Sequence, residues 1–218
     1  MFGFYPAYQL GARVVKELAQ RNSLDTNIID DVVFGNVMNS DCCNVARMVA
    51  LDSDLGVSVT GVTVNRQCGS GLNAFAYAAA MIRSGSAKVM VAGGVESDSN
   101  RPYLMEKPSR AYPHTTLRLE PSVKNIPPRF DDYPMGITAE DLAVKFNVSR
   151  EDCDRYAVDS HRRAEAVWNE GVVDDCVLPV SVEQRRGPPN KVGKDETGIA
   201  TMCIGGGRGI SLQINRMS

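Results

Sequence analysis

Three short apolar runs rich in β-branched residues constrain the fold more than any other feature of this sequence. Segments with helical periodicity separate them, so strand and helix alternate along the first hundred residues. Continuous apolar strands of this kind are typical of parallel sheets, whose strands are buried on both faces. The pattern predicts an α/β fold with a mainly parallel central sheet. The predicted strands are VVFGNV (32–37), SVTGVTVNRQ (58–67) and KVMVAGGVES (88–97).

Three helices are predicted around these strands. The segment QLGARVVKELAQR (9–21) has one apolar stripe, which predicts a surface helix, and NVARMVAL (44–51) predicts a short one. The segment SGLNAFAYAAAMIRSG (70–85) is apolar on nearly all sides and ends at Gly85, a common helix stop. An apolar surface on all sides predicts that this third helix is buried.

Two further helices are predicted from capping boxes, in which a side chain before the helix and one three residues later bond each other's backbone. Thr138 with Asp141 predicts one start, and Ser149 with Asp152 predicts the start of a longer helix that ends near Glu170. Cys153 shares a face of the longer helix with apolar residues. We therefore interpret Cys153 as a core residue.

Residues 98–134 contain seven prolines and no periodic pattern, which predicts a long loop. Between residues 101 and 129 this loop carries six basic and two acidic side chains. A solvated loop and a binding surface for an anionic ligand explain that surplus equally well. Farther along, the Pro- and Gly-rich stretch 184–197 predicts a linker, and 198–218 predicts a terminal hairpin with Cys203 at the tip of its first strand.

The charge balance and the residue counts restrict the kinds of partner and ligand that the protein is expected to bind. The 218 residues include 24 basic and 26 acidic side chains without a run of five like charges, which argues against nucleic acid as the main partner. No stretch approaches the ~20 apolar residues of a membrane helix, and the N-terminus does not resemble a secretion signal. Six cysteines form no CxxC pair, and two histidines are too few for a convincing zinc site. We expect a cytoplasmic protein with free thiols, no metal and a small-molecule substrate.

Cys68 lies where the second predicted strand turns into the third predicted helix, next to Gly69 and Gly71. Backbone N–H groups at a helix N-terminus favour a thiolate, which is the nucleophilic form of cysteine. The N–H of Cys68 would also point toward a carbonyl that the sulfur attacks. An inert thiol in a tight turn is an equally good interpretation of position alone. A papain-type hydrolase is disfavoured, because no histidine is placed as a base.

Cys203 repeats the arrangement of Cys68. In both RQCGSG and MCIGGGRG a strand ends in a cysteine that glycines follow. If the two ends face each other, one thiol can hold an acyl group while the other moves a proton. A redox disulfide between the two is the alternative.

The chain resembles the thiolase family over nearly its whole length. The two cysteine motifs in this order are the most specific part of the resemblance. The matching segments are GNV (35–37), NRQCGSGLNA (65–74), VAGGVES (91–97), MGITAEDLA (135–143), SREDCDRYAVDSHRRAE (149–165) and ATMCIGGGRG (200–209).

The resemblance implies a layered fold with helices on both faces of the sheet, and acyl transfer between coenzyme A (CoA) thioesters by cleavage or Claisen condensation, as in fatty acid metabolism. Cys68 is similar to the nucleophile that carries the acyl group, and Cys203 to the acid/base. The N–H groups of Cys68 and Gly205 would form the oxyanion hole, and Met135 would line the acyl pocket. Acyl-CoA is implied as substrate, without a covalently bound cofactor.

The resemblance also divides the chain. Residues 1–97 resemble part of the N-terminal core, 98–183 the lid region and the helices that complete the N-terminal half, 184–197 a linker, and 198–218 the terminal hairpin of the second half. The rest of that second half, with its asparagine and Gly-His-Pro motifs, is not found in these residues. We therefore expect weak or no thiolysis and a homo-oligomer that covers exposed apolar surface. A non-catalytic remnant that binds CoA or a protein is the alternative, and a decarboxylating ketosynthase is less favoured because it lacks the terminal cysteine motif.

Overall fold

A three-stranded parallel sheet forms the centre of the first part of the chain. In this computed structural model, strand β1 (Asp31–Gly35) lies between β2 (Thr60–Val64) and β3 (Met90–Gly94). Gly35 is opposite both Val64 and Gly94, so the carboxyl ends of all three strands meet at one edge. The predicted parallel sheet is confirmed. The described residues are 5–38, 42–105, 119–121, 135–182, 190–192, 198–204 and 208–214.

Helices cover both faces of this sheet, as the resemblance implied. Helices α1 (Ala7–Arg21) and α2 (Val45–Asp52) pack on one face, and α3 (Ser70–Arg83) packs on the other. The alternation of side chains along β1 produces this division. Val32 and Phe34 are buried in the cluster formed with α1 and α2, whereas Val33 is buried against Ala74 and Ala78 of α3.

The prediction that α3 is buried on all sides is wrong. Its buried residues are small ones, Ser70, Ala74 and Ala78, and these face the sheet. Leu72 is 79% exposed and Phe75 is 60% exposed. An apolar helix surface is buried only where a second layer of structure covers it, and the described residues place such a layer on one side of α3.

The chain divides into two compact units, Met1–Arg66 with Ser70–Asp132, and Gln67–Gly69 with Tyr133–Ser218. In the first unit a short antiparallel pair, β4 (Tyr103–Met105) with β5 (Leu119–Pro121), lies within the segment predicted as loop. Residues 106–118 and 122–134 of that segment, with most of its basic side chains, lie outside the described residues.

In the second unit the described residues form two α-helices, α4 (Met135–Phe146) and α5 (Arg150–Asn169), and two antiparallel strand pairs. Strands β8 (Gly198–Ile204) and β9 (Arg208–Ile214) form the terminal hairpin that the sequence predicts, and α5 lies against β9. Strands β6 (Val180–Val182) and β7 (Asn190–Val192) pair with each other, and β7 falls inside the segment predicted as a linker.

The two capping-box predictions have different outcomes. Ser149 accepts a hydrogen bond from the N–H of Asp152, and the Asp152 carboxylate accepts one from the N–H of Ser149, so this capping box is confirmed. The prediction for Thr138 with Asp141 is wrong, because α4 already begins at Met135. Pro134 precedes Met135 in the sequence, and a proline ring limits how far a helix extends toward its N-terminus.

The interpretation of Cys153 as a core residue is also wrong. Cys153 is exposed, and α5 has no buried residue. Its neighbour on the same face, Tyr156, is 69% exposed. Helical spacing identifies which residues share a face, but burial of that face requires a partner element.

Replacing Ser149 with alanine should lower the free energy of unfolding by about 1 kcal/mol, the usual cost of losing an N-cap side chain. The hydroxyl oxygen that accepts from the Asp152 N–H at 3.1 Å is removed, and that N–H loses its partner. Urea unfolding followed by circular dichroism measures the change. Ser149→Thr keeps the hydroxyl and should remain within a few tenths of a kcal/mol of the parent protein. Equal losses in both variants would contradict the role of the hydroxyl.

Asp30 joins the amino ends of β1 and β3. Its Oδ2 accepts hydrogen bonds from the N–H groups of Lys88 at 2.6 Å and Val89 at 3.0 Å. These two bonds hold the pKa of the Asp30 carboxyl below its ordinary value. A lowered folded-state pKa stabilises the fold at pH values above the unfolded-state pKa of about 4, and this contribution disappears as the pH falls through the lowered pKa.

The Asp30→Asn variant should therefore lose stability at neutral pH and show a shallower decline in acid. Urea unfolding of parent and variant at neutral pH and below pH 4 measures both effects, since the difference between the two proteins should shrink as the pH falls. A difference that stays constant with pH would contradict the assignment of these hydrogen bonds to the ionised carboxylate.

Candidate active site

Cys68 lies in the turn between β2 and α3, two residues before Ser70, where α3 begins. The turn is closed by a hydrogen bond of 2.8 Å from the N–H of Arg66 to the hydroxyl oxygen of Ser70. Gln67 has a φ of 48°, a left-handed conformation that is uncommon for a residue other than glycine. Cys68 is exposed and its thiol is free. The structure places Cys68 between a strand and a helix, where the sequence predicts it, and its role as a nucleophile stays a prediction.

The end of β1 lies directly against the start of α3. A Cβ atom added at Gly35 would lie 2.7 Å from the Gly71 nitrogen and 2.8 Å from the Ser70 Cβ. Only glycine permits this approach. The first turn of α3 therefore packs directly on the carboxyl end of β1. The Cys68 turn ends at this contact, because α3 begins at Ser70.

Glu96, just after β3, was not singled out by the sequence. Its carboxylate accepts hydrogen bonds from the N–H groups of Val37 at 2.5 Å and Met38 at 3.1 Å, and from the side-chain amide of Asn36 at 3.2 Å. The donors lie about sixty positions earlier in the chain, so no local pattern could reveal them. The VAGGVES motif, which ends a strand at the same edge as Cys68, was the available signal.

The carboxylate of Glu96 has an unfavourable environment. Desolvation raises the pKa of Glu96 above its ordinary value, although the N–H groups of Val37 and Met38 act in the opposite direction. Perturbed carboxyl groups concentrate at functional sites, because a fold seldom retains a costly charge without use.

The structure describes the positions of only some of the other predicted site residues. Met135 is the first residue of α4 and is 49% exposed, and its place in the acyl pocket stays a prediction. Cys203 lies in β8 opposite Gly209 of β9, near the end of its strand as predicted. Gly205 lies outside the described residues. The convergence of the Cys68 and Cys203 sulfur atoms stays a prediction.

A surface groove of about 310 Å³ lies beside α1, and none of the predicted site residues lines it. It is a weaker candidate for a ligand-binding site than the Cys68 turn. Its lining consists of Gln9, Ala12, Arg13, Lys16 and Asp52. Lys16 is paired with Asp54 at 2.5 Å, and Arg13 lies over the ring of Tyr5 at 4.6 Å. Its two cations already have partners, so the groove has no evident anion site.

The described part of the chain contains no group of three or more histidine, cysteine or acidic side chains that could hold a metal ion. None of the helices in these ranges combines the length and the apolarity needed to span a membrane.

Comparison with protein-family models matches residues 2–204 to the N-terminal domain of thiolase. A probable acetyl-CoA acyltransferase of Staphylococcus epidermidis is 36% identical over 199 residues, which are 90% of this chain and 50% of that protein. The acetyl-CoA acetyltransferase of Pseudomonas aeruginosa is 38% identical over 194 residues, which are 88% of this chain and 49% of that protein. The chain thus spans about half the length of the curated relatives it matches.

A solved structure shows the same relationship in three dimensions. The crystal structure of the Bacillus anthracis acetyl-CoA acetyltransferase superposes with a TM-score of 0.74 at 30% sequence identity. The superposition covers 87% of this chain and 48% of that enzyme. The α/β architecture is therefore shared with a solved acetyl-CoA acetyltransferase over 87% of this chain.

Proposed function

This chain belongs to the thiolase family, and from that premise we propose that it takes an acyl group from acyl-CoA onto Cys68. The proposed substrates are acyl-CoA and 3-ketoacyl-CoA thioesters, and the proposed reaction is thiolytic cleavage or its reverse, a Claisen condensation. Cys68, which lies within the described residues, is the proposed nucleophile of the acylation half-reaction.

The proposed step is a thioester exchange. The Cys68 sulfur, as thiolate, attacks the carbonyl carbon of the substrate, and the carbonyl oxygen gains a negative charge. The carbon–sulfur bond to CoA then breaks, and the CoA thiolate takes up a proton in place of the one that Cys68 lost. Free CoA and an acyl group on Cys68 are the products. No oxidant, reductant or metal enters the balance.

The remaining predicted residues have roles in the same proposal. The N–H groups of Cys68 and Gly205 would donate to the carbonyl oxygen as it becomes negative. Cys203 would move the proton on the α-carbon of the second substrate or on the thiol of CoA. Met135 would border the acyl group. A reducing cytoplasm suits such a protein, because the nucleophile must remain a free thiol.

The observation that carries the proposal is the exposed thiol of Cys68 at the carboxyl edge of a parallel sheet. Ligands of open α/β sheets bind at this edge, outside the carboxyl ends of the strands. Cys68 follows β2 there, and Glu96 follows β3 at the same edge. A cysteine buried among apolar side chains would be inert, and Cys68 is not buried.

Release of CoA from acetyl-CoA tests the proposal. The purified chain, mixed with excess acetyl-CoA, should release CoA in an initial phase that approaches one equivalent per chain, separated and measured by chromatography. An amount no greater than the uncatalysed hydrolysis would contradict acyl transfer. It would favour a non-catalytic remnant that binds CoA or a protein partner.

We also propose that the isolated chain self-associates through α3. Leu72, Phe75 and Ile82 are exposed on this helix, and from Ser70 to Ile82 it carries no charged residue. Two such faces can pack together without burying a charge, and exposed apolar patches of this kind are typical of association surfaces. The proposed partner is a second copy of this chain.

The Phe75→Lys variant should lower the oligomeric fraction at a given concentration, because it places a charge in the middle of that surface. Size-exclusion chromatography with light scattering measures the mass in solution. Val57→Lys is the matched control, since Val57 is 83% exposed in the loop before β2. A parent protein that runs as a single monomeric species would contradict self-association.

A further inference from the structure

Asn36 ties the end of the central strand to both neighbouring strands. The residue is nearly inaccessible, with 5% exposure. Its backbone N–H donates to the carbonyl oxygen of Val64 at 3.2 Å, after which the chain enters the Cys68 turn. Its side-chain amide donates to the carbonyl oxygen of Val95 at 2.6 Å. One residue therefore links the carboxyl ends of β1, β2 and β3.

Glu96 completes this arrangement. Its carboxylate accepts from the N–H groups of Val37 and Met38 and from the amide of Asn36, and so fixes three consecutive residues after β1. The N–H of Val95 also donates to the carbonyl oxygen of Gly35 at 3.0 Å. We call Asn36, Glu96 and these backbone partners the carboxyl-edge clasp.

The carboxyl-edge clasp reaches both ends of the Cys68 turn. On one side it holds Val64, two residues before Arg66, through Asn36. On the other side it holds Gly35, against which Ser70 and Gly71 pack so closely that an added Cβ atom would clash with both. The two residues that close the turn are thus both near the clasp, because Arg66 is two residues after Val64 and Ser70 packs against Gly35.

From these contacts we infer that Glu96 is a positioning residue for Cys68, since it holds the strand ends on which the turn bearing the nucleophile is seated. The inference deepens the proposed function and rests on it for the role of Cys68 as nucleophile. Glu96 does not touch the substrate in this proposal. It acts through Asn36, Gly35 and Ser70.

Asp30 provides a natural control for this inference. It joins the same two strands, β1 and β3, at their opposite ends, through the N–H groups of Lys88 and Val89. Both carboxylates thus accept two backbone N–H groups across the same strand pair. Losing either should weaken the sheet, but only Glu96 is at the edge where Cys68 lies.

The rate at which iodoacetamide alkylates Cys68 measures the placement of its sulfur. Cys68 is already exposed, so loosening the turn adds little access, and its main effect should be to displace the sulfur from its place two residues before the start of α3. A helix N-terminus stabilises a nearby negative charge by up to about 1 kcal/mol, so we expect this displacement to slow alkylation about fivefold.

Trypsin digestion places Cys68 and Cys153 on different peptides. Cleavage after Arg66 and Arg83 yields a peptide, 67–83, in which Cys68 is the single cysteine, and cleavage around residues 151–155 yields another for Cys153. Cys153 is exposed on α5 and serves as the reference within each sample. The quantity compared among variants is the ratio of the two alkylation rates in the full chain, by mass spectrometry.

We expect Glu96→Ala to lower this ratio about fivefold and Glu96→Gln, which keeps one acceptor oxygen, to lower it less. Asp30→Ala should lower the melting temperature and leave the ratio unchanged. An unchanged ratio in both Glu96 variants would overturn the inference, and so would an equal fall in Asp30→Ala. If Glu96→Ala does not fold, the comparison of Glu96→Gln with Asp30→Ala decides the question.

Different experimental results would contradict the positioning role of Glu96 and the proposed function. A parent protein that releases no CoA from acetyl-CoA contradicts the proposed function, whatever the alkylation ratio. A parent protein that releases CoA, together with Glu96 variants of unchanged ratio, contradicts the positioning role alone.

Discussion

Replacing Gly35 with alanine should destabilise the first unit by roughly 3 kcal/mol, near the upper end of the usual cost of overpacking. The added methyl carbon would lie 2.7 Å from the Gly71 nitrogen and 2.7 Å from the Ser70 carbonyl carbon. Both are backbone atoms of α3, so no side-chain rotation can relieve the clash. A loss of this size is a large part of the stability of an ordinary domain.

Gly71→Ala is the matched control, since it adds the same methyl group on the other side of this contact. No atom lies within 4 Å of a Cβ placed at Gly71, and alanine favours a helix over glycine by up to about 1 kcal/mol. We expect this variant to be as stable as the parent protein or slightly more so. Urea unfolding compares the two, and equal losses of stability would contradict the close approach of β1 to α3.

Replacing Cys68 with alanine should remove the initial phase of CoA release, from about one equivalent per chain to the uncatalysed amount, because a covalent mechanism has no substitute for its nucleophile. Cys68 is exposed, so the change should leave the melting temperature almost unaffected. Cys153→Ala, at an exposed cysteine on α5, should release CoA as the parent protein does. Retained release in Cys68→Ala would contradict the proposed nucleophile.

Features of the fold set by short-range sequence patterns were predicted well. The β-branched runs identified all three strands of the parallel sheet, within three residues at each end. The Ser149 capping box was correct because the bonds that make it join residues three positions apart. The start of α4 was misplaced because a Thr–Asp pair can stabilise a helix start, yet nothing prevents a helix from beginning one turn earlier.

Burial was predicted less well, because it depends on elements far away in the sequence. Leu72 and Phe75 of α3 and Cys153 of α5 have the pattern of core residues, and all three are exposed. Apolar residues at helical spacing lie on one face of a helix, so they can be buried together. Whether it is buried depends on a second layer, which a local pattern does not describe.

The residues of the candidate site also differ in whether their contacts are local or distant in the sequence. Cys68 could be identified because its strand, glycines and helix are contiguous in the sequence. Glu96 could not, since its partners Val37 and Met38 lie 59 and 58 positions earlier. Only the pairing of β1 with β3 brings that carboxylate to the edge where Cys68 begins its turn.

Mapping the acyl group after exposure to acetyl-CoA tests the assignment of Cys68 most directly. The chain is quenched in acid, digested with trypsin and analysed by mass spectrometry. We predict one acetyl group on peptide 67–83, bound as a thioester that hydroxylamine removes, with little on the peptides that contain Cys43 and Cys153. Acetylation spread equally over the exposed cysteines, or confined to lysines, would contradict Cys68 as the residue that carries the acyl group.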